Sequence, residues 1–377
     1  MEVKKRLEHL RNVMEEKQLT AILITDPYNQ HYISGFKAVI YSRPIYYLIT
    51  RQETALVVPG LEEEHARAKS VVDRICVYYE HPEKAGEGID PIRTLLQYLQ
   101  SLGMSGKIGV EFPSMSLTLG GALKQADWEL IDISEAIMGQ RAVKNERELK
   151  TIREAGHLAS LALRASLEAA RVGITELEID HIGNIAVLEE VSKTDPDAVV
   201  TLDVISPSGI ERSLLPHVFS TTKKVEKGDI IIHSRQLSLN GYKAESERTF
   251  FVGEPTERQK AAFEVMVSAQ QAALDSIKAG IPMKEVDKAA RSVIQKAGYG
   301  EYAIHRSGHS IGLAVHEPPY LRFDENAPLL EGMVFTIEPG FYVPGIGGFR
   351  HSDTIIVTRS GYEMVTNYPS LLHDLIL

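Results

Sequence analysis

The chain of 377 residues contains one cysteine, Cys76, and one tryptophan. A lone thiol excludes an internal disulfide and any metal cluster built on cysteines. It suits a reducing compartment, so a cytoplasmic location is expected. Basic residues are also in deficit, 41 Lys and Arg against 51 Asp and Glu, which gives a formal charge of −10. Neither nucleic acid nor an anionic membrane is an expected partner, because a basic footprint supplies most of the affinity for either. No run approaches the ~18 to 20 apolar residues of a membrane span. The charged opening stretch, with Val3, Leu7, Leu10 and Met14 at helical spacing, reads as an amphipathic surface helix without the apolar core of a signal peptide. No phosphate-binding Gly-rich loop, Walker sequence or nucleophile elbow is found, so nucleotide hydrolysis and serine-esterase chemistry have no support.

A hydrophobic content of 44% over this length is enough for two cores, and two domains are expected. In the first, Ala21 to Thr25 is a β-type run ending at an Asp26-Pro27 turn signal, and Ile45 to Thr50 with Thr54 to Val58 reads as a hairpin. Helical stretches near 60–72 and 90–102 alternate with strands near 75–79 and 107–111, the pattern of an α/β domain over residues 1–140. A highly charged segment from Arg141 to Leu149 marks the boundary with a second domain, 141–377. That domain carries an internal repeat: Arg171-Val172-Gly173-Ile174 leading to Glu178-Ile179-Asp180 returns as Lys278-Ala279-Gly280-Ile281 leading to Glu285-Val286-Asp287. Two fused helix-helix-hairpin halves, with a cleft between their sheets, are implied.

Five segments hold the residues with chemistry. They are Ser206-Pro207-Ser208-Gly209 through Pro216-His217; Gly228-Asp229 through Gly241-Tyr242 and Glu247-Arg248-Thr249; Ser307-Gly308-His309-Ser310-Ile311-Gly312 through His316-Glu317; Thr336-Ile337-Glu338-Pro339-Gly340; and Gly347-Gly348-Phe349-Arg350-His351-Ser352-Asp353. A lone His or Glu in a strand is usually structural. In this order, the five strongly resemble the creatinase/prolidase/methionine aminopeptidase superfamily, whose catalytic domain has the pita-bread fold. Asn29 through Gly35 looks like that superfamily's first-strand signature. The resemblance implies an α/β N-terminal domain plus an α+β pita-bread C-terminal domain with an internal pseudo-twofold repeat.

In the metal-dependent members two Asp, one His and two Glu hold two divalent ions. Matched on the glycine landmarks, those positions here are Ser234, Glu245, His309, Glu338 and Ser352. Two neutral hydroxyls cannot balance a pair of divalent cations, so no resident metal or other cofactor is expected. A single ion on Glu245, His309 and Glu338 is the alternative, three protein ligands being a common catalytic zinc set. The site residues look closest to creatinase, which reads Gly-His-Ser and carries a glutamate before Arg-Thr. That resemblance implies a metal-independent hydrolase of a C–N bond in a small guanidino, amidino or amino-acid-derived zwitterion. His217 would be the acid and base, and Glu247 and Glu338 would grip the cation. His309, His316, Glu245, Tyr242 and Arg322 would line the substrate. Tyr41 and Arg43 would reach a partner subunit's site in a homodimer. General chemistry agrees: one imidazole near neutrality can take and return a proton, and an arginine fork suits a carboxylate. Two other readings are a metal-dependent Xaa-Pro peptidase with a degenerate site and a non-catalytic binding homologue. His233 and His351, flanking the two serines, are expected to pair with each other across strands behind the site, by side-chain alternation.

Overall fold

The computed structural model describes residues 2–88 and 90–377. The chain separates into two compact units that divide between Arg141 and Ala142. The first contains α1 (Glu2–Glu16), β1 (Ala21–Ile24), α2 (Pro27–Ser34), β2 (Tyr46–Ile49), β3 (Thr54–Pro59), α3 (Glu63–Lys69), β4 (Arg74–Tyr78), α4 (Pro91–Ser101), β5 (Gly106–Val110), α5 (Leu117–Gln125), β6 (Trp128–Asp132) and α6 (Ser134–Ala142). Its strands form a mixed sheet in the order β4-β3-β2-β1-β5-β6. The expected hairpin is β2 with β3, antiparallel from Tyr46 opposite Val57 to Ile49 opposite Thr54. Leu23, Leu48, Val57, Leu95, Ile108 and Leu123 are among the residues of its core.

One expectation fails here for a local reason. Asp26-Pro27 does not make a turn, and Asn29 through Gly35 does not make a strand. The Asp26 carboxylate accepts from the Asn29 backbone N–H, Pro27 occupies the first helical turn, and Gly35 ends the helix in the left-handed region at φ 75°. Aspartate as N-cap followed by proline is a helix start.

The second unit contains α7 (Glu146–Ala169), α8 (Glu176–Thr194), β7 (Val200–Ile205), α9 (Ile210–Ser213), β8 (Ile230–Leu239), β9 (Tyr242–Phe251), α10 (Glu257–Asp275), α11 (Met283–Lys296), β10 (Gly308–Ser310), β11 (Glu317–Leu321), β12 (Val334–Ile337), β13 (Gly340–Val343), β14 (Gly347–Arg350), β15 (Ser352–Val357) and β16 (Tyr362–Met364). The main sheet runs β11-β10-β12-β15-β9-β8-β7, with β16 on β15. Helices α7, α8 and α10 start at capping boxes on Asn145, Thr175 and Thr256, which satisfy orphan backbone donors at each start. The repeat is borne out: helix pairs α7/α8 and α10/α11 each precede strands, and each pair is linked through a glycine in the left-handed region, Gly173 at φ 88° and Gly280 at φ 90°. The equivalence extends inward. Asp180 on α8 accepts from the Ser206 hydroxyl, and Asp287 on α11 accepts from the Ser307 hydroxyl and N–H. Among the described residues no helix is long and apolar enough to cross a membrane.

The central strands of the main sheet, β8, β9, β12 and β15, are buried on both faces, and strand alternation sorts their polar residues between them. On the rear face of β8, His233 Nδ1 lies 2.7 Å from Ser206 Oγ, and Arg235 Nε donates to His233 Nε2 at 3.0 Å. His351 packs edge-on to Phe263, with Nε2 3.4 Å from the Thr249 carbonyl. The two histidines therefore do not pair; a separate set of partners takes each. Burial drives both imidazoles well below their ordinary value of 6.5, with the neighbouring arginines acting in the same direction.

The sign of the resulting pH dependence follows. An imidazole depressed in the folded state leaves the unfolded chain binding the extra proton, so its stabilisation is complete above pH 6.5 and is lost as pH falls below it. His351→Leu removes one such group. In denaturant titrations between pH 6.5 and 5, the variant's stability should fall less steeply than the wild type's, the difference in slope growing toward about 1.4 kcal/mol per pH unit near pH 5. Parallel curves would contradict a neutral buried His351.

Candidate active site

A cavity of about 1620 Å³ opens in the second unit. Strands β8 and β9 supply one wall, Ser234 and Gln236 from the first and Glu245 from the second, with the buried Glu247 on the same strand face two residues on. The register sets Ser234 opposite Glu247 and Gln236 opposite Glu245, and β15 sets Ser352 opposite Glu247. His309 comes from β10, and Glu338 follows β12.

Both oxygens of Glu245 are held by the protein, Oε1 by the Ser352 hydroxyl and Oε2 by the Gln236 amide, each at 2.7 Å. Burial and the charge of Glu338 push the Glu245 carboxyl up to about 7. For Glu338 burial acts upward too, but His309 and Arg350 outweigh it and keep this carboxyl well below the usual range. His309 is raised above its ordinary value: burial opposes protonation, and the Glu338 and Glu245 carboxylates outweigh it. Its Nδ1 donates to the Ser310 carbonyl at 3.2 Å. Nε2 is left buried without a hydrogen bond, 3.3 Å from Glu338 Oε1.

Glu247 is engaged differently. Arg350 Nε and Nη2 donate to its two oxygens at 2.6 and 2.7 Å, in a pair that is almost wholly buried. Arg350 Nη1 donates to the Tyr342 hydroxyl at 2.9 Å, and that hydroxyl lies 3.0 Å from His305 Nε2. Burial pushes the Glu247 carboxyl up while Arg350 pulls it down; the bidentate geometry keeps both groups charged.

Of the residues singled out in the sequence, His217, Glu245, His316, Arg322 and Glu338 line the cavity. His309 joins them through its ring, stacked on His316 at 3.8 Å between centroids. His217 is exposed at the wall. Burial first, and then the charge of His309, pull His316 down to about 4. Arg322 is tied to Asp324. Tyr242 does not line the cavity; its hydroxyl donates to Glu148 on α7 at 2.5 Å. Tyr41 and Arg43 lie in the first unit, Tyr41 90% exposed and Arg43 paired with Glu80 at 2.6 Å. Sequence reasoning passed over Arg350, Gln236 and Arg306. One signal was available: Gln236 stands two residues beyond Ser234, the spacing of one strand face.

The donor atoms of Glu245, His309 and Glu338 all lie within 4.8 Å of one another. Together with the unbonded Nε2 of His309, this set fits one divalent ion: two carboxylate oxygens and an imidazole nitrogen oriented by a backbone carbonyl. A second ion does not fit. The two remaining positions offer serine hydroxyls, one of them already donating to Glu245, and both oxygens of Glu247 are engaged by Arg350.

Fold and site together define a metallopeptidase-type hydrolase scaffold. Residues 150–359 match the Metallopeptidase family M24, and residues 6–143 match the Creatinase/Prolidase N-terminal domain. The chain belongs to this family of hydrolases, within the creatinase/prolidase superfamily, and has its two-domain fold. It is similar to an Xaa-Pro dipeptidase of Pyrococcus furiosus, 32% identical over 97% of this chain and 98% of that one, and to one of Pyrococcus horikoshii, 34% identical over 96% of each. The solved structure of an Xaa-Pro dipeptidase from Bacillus anthracis superimposes with a TM-score of 0.86 at 31% identity over 100% of both chains. These findings overturn the metal-independent, creatinase-like reading. The physical reason lies in Glu247, whose two oxygens are both engaged by Arg350 and are not offered to a substrate cation, while Glu245, His309 and Glu338 converge as the one-ion alternative requires.

The Arg350–Glu247 pair gives a direct prediction. Arg350→Met leaves a buried carboxylate without a partner and should cost about 3–5 kcal/mol. Glu247→Gln alone should also destabilise, and the double variant should lose much less than the two single losses combined. Urea unfolding of the four proteins checks this; strict additivity would contradict a coupled pair.

Proposed function

We propose that the chain is a one-metal peptidase of the Xaa-Pro dipeptidase type, holding a single divalent ion on Glu245, His309 and Glu338. The observation that carries this reading is the convergence of those three donor sets in a chain whose full-length relatives are named Xaa-Pro dipeptidases. Charge supports it as well. With an ion bound, Glu245 ionised and His309 neutral, three carboxylates against the Arg350 guanidinium would leave two negative charges, matching one divalent ion.

Such an ion supplies Lewis acidity toward a carbonyl. The protein's own groups do the remaining work. Ser352 and Gln236 fix Glu245 in one orientation, and the Ser310 carbonyl fixes the tautomer of His309. His217, exposed on the wall, carries a proton to the departing nitrogen. His316 donates a hydrogen bond to the substrate. The reading includes a homodimer in which the partly exposed Arg43 of one protomer serves its partner's site, in keeping with the 90% exposure of neighbouring Tyr41.

Elemental analysis of purified protein should find one divalent ion per chain, and His309→Ala and Glu338→Ala should lose it. Xaa-Pro dipeptides should be cleaved, chelation should abolish cleavage, and manganese or zinc should restore it. Two ions per chain, or turnover that survives complete chelation, would refute the proposal. His217→Ala should lower kcat by roughly 10²-fold or more while leaving the metal in place.

A further inference from the structure

Arg306 is absent from every role assigned so far, yet it touches both histidines that flank the cavity mouth. Its Nη2 lies 2.9 Å from His316 Nδ1. A guanidinium has only N–H donors and keeps its proton at any ordinary pH. Nδ1 of His316 must therefore be the acceptor, and the ring proton of the neutral imidazole must stand on Nε2. The arginine is itself held in place: its guanidinium carbon lies 4.2 Å from the centroid of the Tyr320 ring, and Tyr320 is opposite His309 in the β10/β11 ladder.

The backbone of the same residue acts on the preceding one. His305 Nδ1 is 2.7 Å from the Arg306 carbonyl oxygen, and Nε2 is 3.0 Å from the Tyr342 hydroxyl. A carbonyl only accepts, so Nδ1 carries the proton, and Nε2 accepts from Tyr342, which in turn accepts from Arg350.

We infer that Arg306 is a positioning residue that sets opposite tautomers in the two rings: through its guanidinium it makes His316 an obligate Nε2–H donor, and through its carbonyl it makes His305 an Nδ1–H tautomer. His316 thereby meets an entering substrate with a donor only, which selects a carbonyl or carboxylate oxygen and rejects a cationic group. The use made of that donor rests on the peptidase reading above; the tautomers rest on the hydrogen bonds of the two rings.

The test is nuclear magnetic resonance of full-length protein labelled with ¹³C and ¹⁵N in histidine, at neutral pH. His316→Gln and His305→Gln assign the two rings. Wild type should show His316 protonated on Nε2 only and His305 on Nδ1 only, with the long-range ¹⁵N pattern identifying the bare nitrogen in each. An Nδ1–H or doubly protonated His316 in wild type overturns the inference without recourse to a variant. Arg306→Met should release His316 into a mixture of tautomers and leave His305, held by the backbone, unchanged. A His316 spectrum identical to wild type would overturn the inference. In turnover, Arg306→Met should lower kcat/KM by roughly tenfold, with Arg306→Lys recovering part of the loss because it keeps a donor. Failure of the chain to cleave Xaa-Pro dipeptides would remove the peptidase reading while leaving the tautomer result intact.

Discussion

The bidentate bond from Arg350 to Glu247 is the constraint on which the cavity floor depends. Three carboxylates brought together out of water would repel one another and take up protons in place of metal or substrate. The guanidinium removes one of them from that competition, and does so completely because both oxygens of Glu247 are taken. Glu245 and Glu338 are then left to face His309. The same arginine reaches Tyr342 and, through it, His305, so one fixed cation organises the floor and part of the rim. Such a pair is a poor source of stability compared with apolar packing. Its value here lies in deciding which carboxylates remain available.

That arrangement needs a sheet able to bury charge on both faces. Front-face residues of β8 and β9 are site groups, and rear-face residues are a second polar network. Arg248 donates to Asp353 at 3.0 Å and to the backbone carbonyls of Ser352 and Tyr368. Arg235 donates to His233, Ser166 and Asn184. Space for that guanidinium exists because α8 carries glycine at 183; a Cβ there would stand 2.0 Å from Arg235 Nη2. The rear network thus locks the strands against α7 and α8, and the precision of the front face follows in part from these partners on the opposite side of the sheet.

Features written locally were legible in the sequence. The β2/β3 hairpin, the alternation of the first domain, the repeat in the second and the order of the five segments all rest on short-range pattern. Asp26-Pro27 was misread because cap and turn share a vocabulary, and only the helix that follows tells them apart. Glu247 was misread for another reason. Its partner lies 103 residues away, and no spacing rule connects the two. Hydroxyls at 234 and 352 could be read from the sequence, but the guanidinium that enters the same charge count was invisible without the fold. The separation of His233 from His351 was likewise beyond reach: alternation placed them on the rear face of the sheet, and only tertiary packing assigned one to Ser206 and Arg235 and the other to Phe263.

The duplication explains how each half of such a site can keep its frame whatever side chains it presents. Each half anchors its site segment by the same device, an aspartate on the second helix holding a serine at the head of the strand region: Asp180 with Ser206, Asp287 with Ser307. These anchors are separate hydrogen-bond systems, so loss of an acidic residue on one side leaves the opposite support intact. The first half presents Ser234, Gln236, Glu245 and Glu247; the second presents His309, Glu338 and Ser352 against them. Symmetric scaffolding carrying unlike side chains gives a cavity whose strands stay in register while its charge is reset residue by residue. Here the hydroxyls at 234 and 352 sit within a regular ladder, Ser234 opposite Glu247 and Ser352 bonded to Glu245. Backbone pairing preserves the frame, and the ionic partners of the surviving carboxylates determine what that frame can hold.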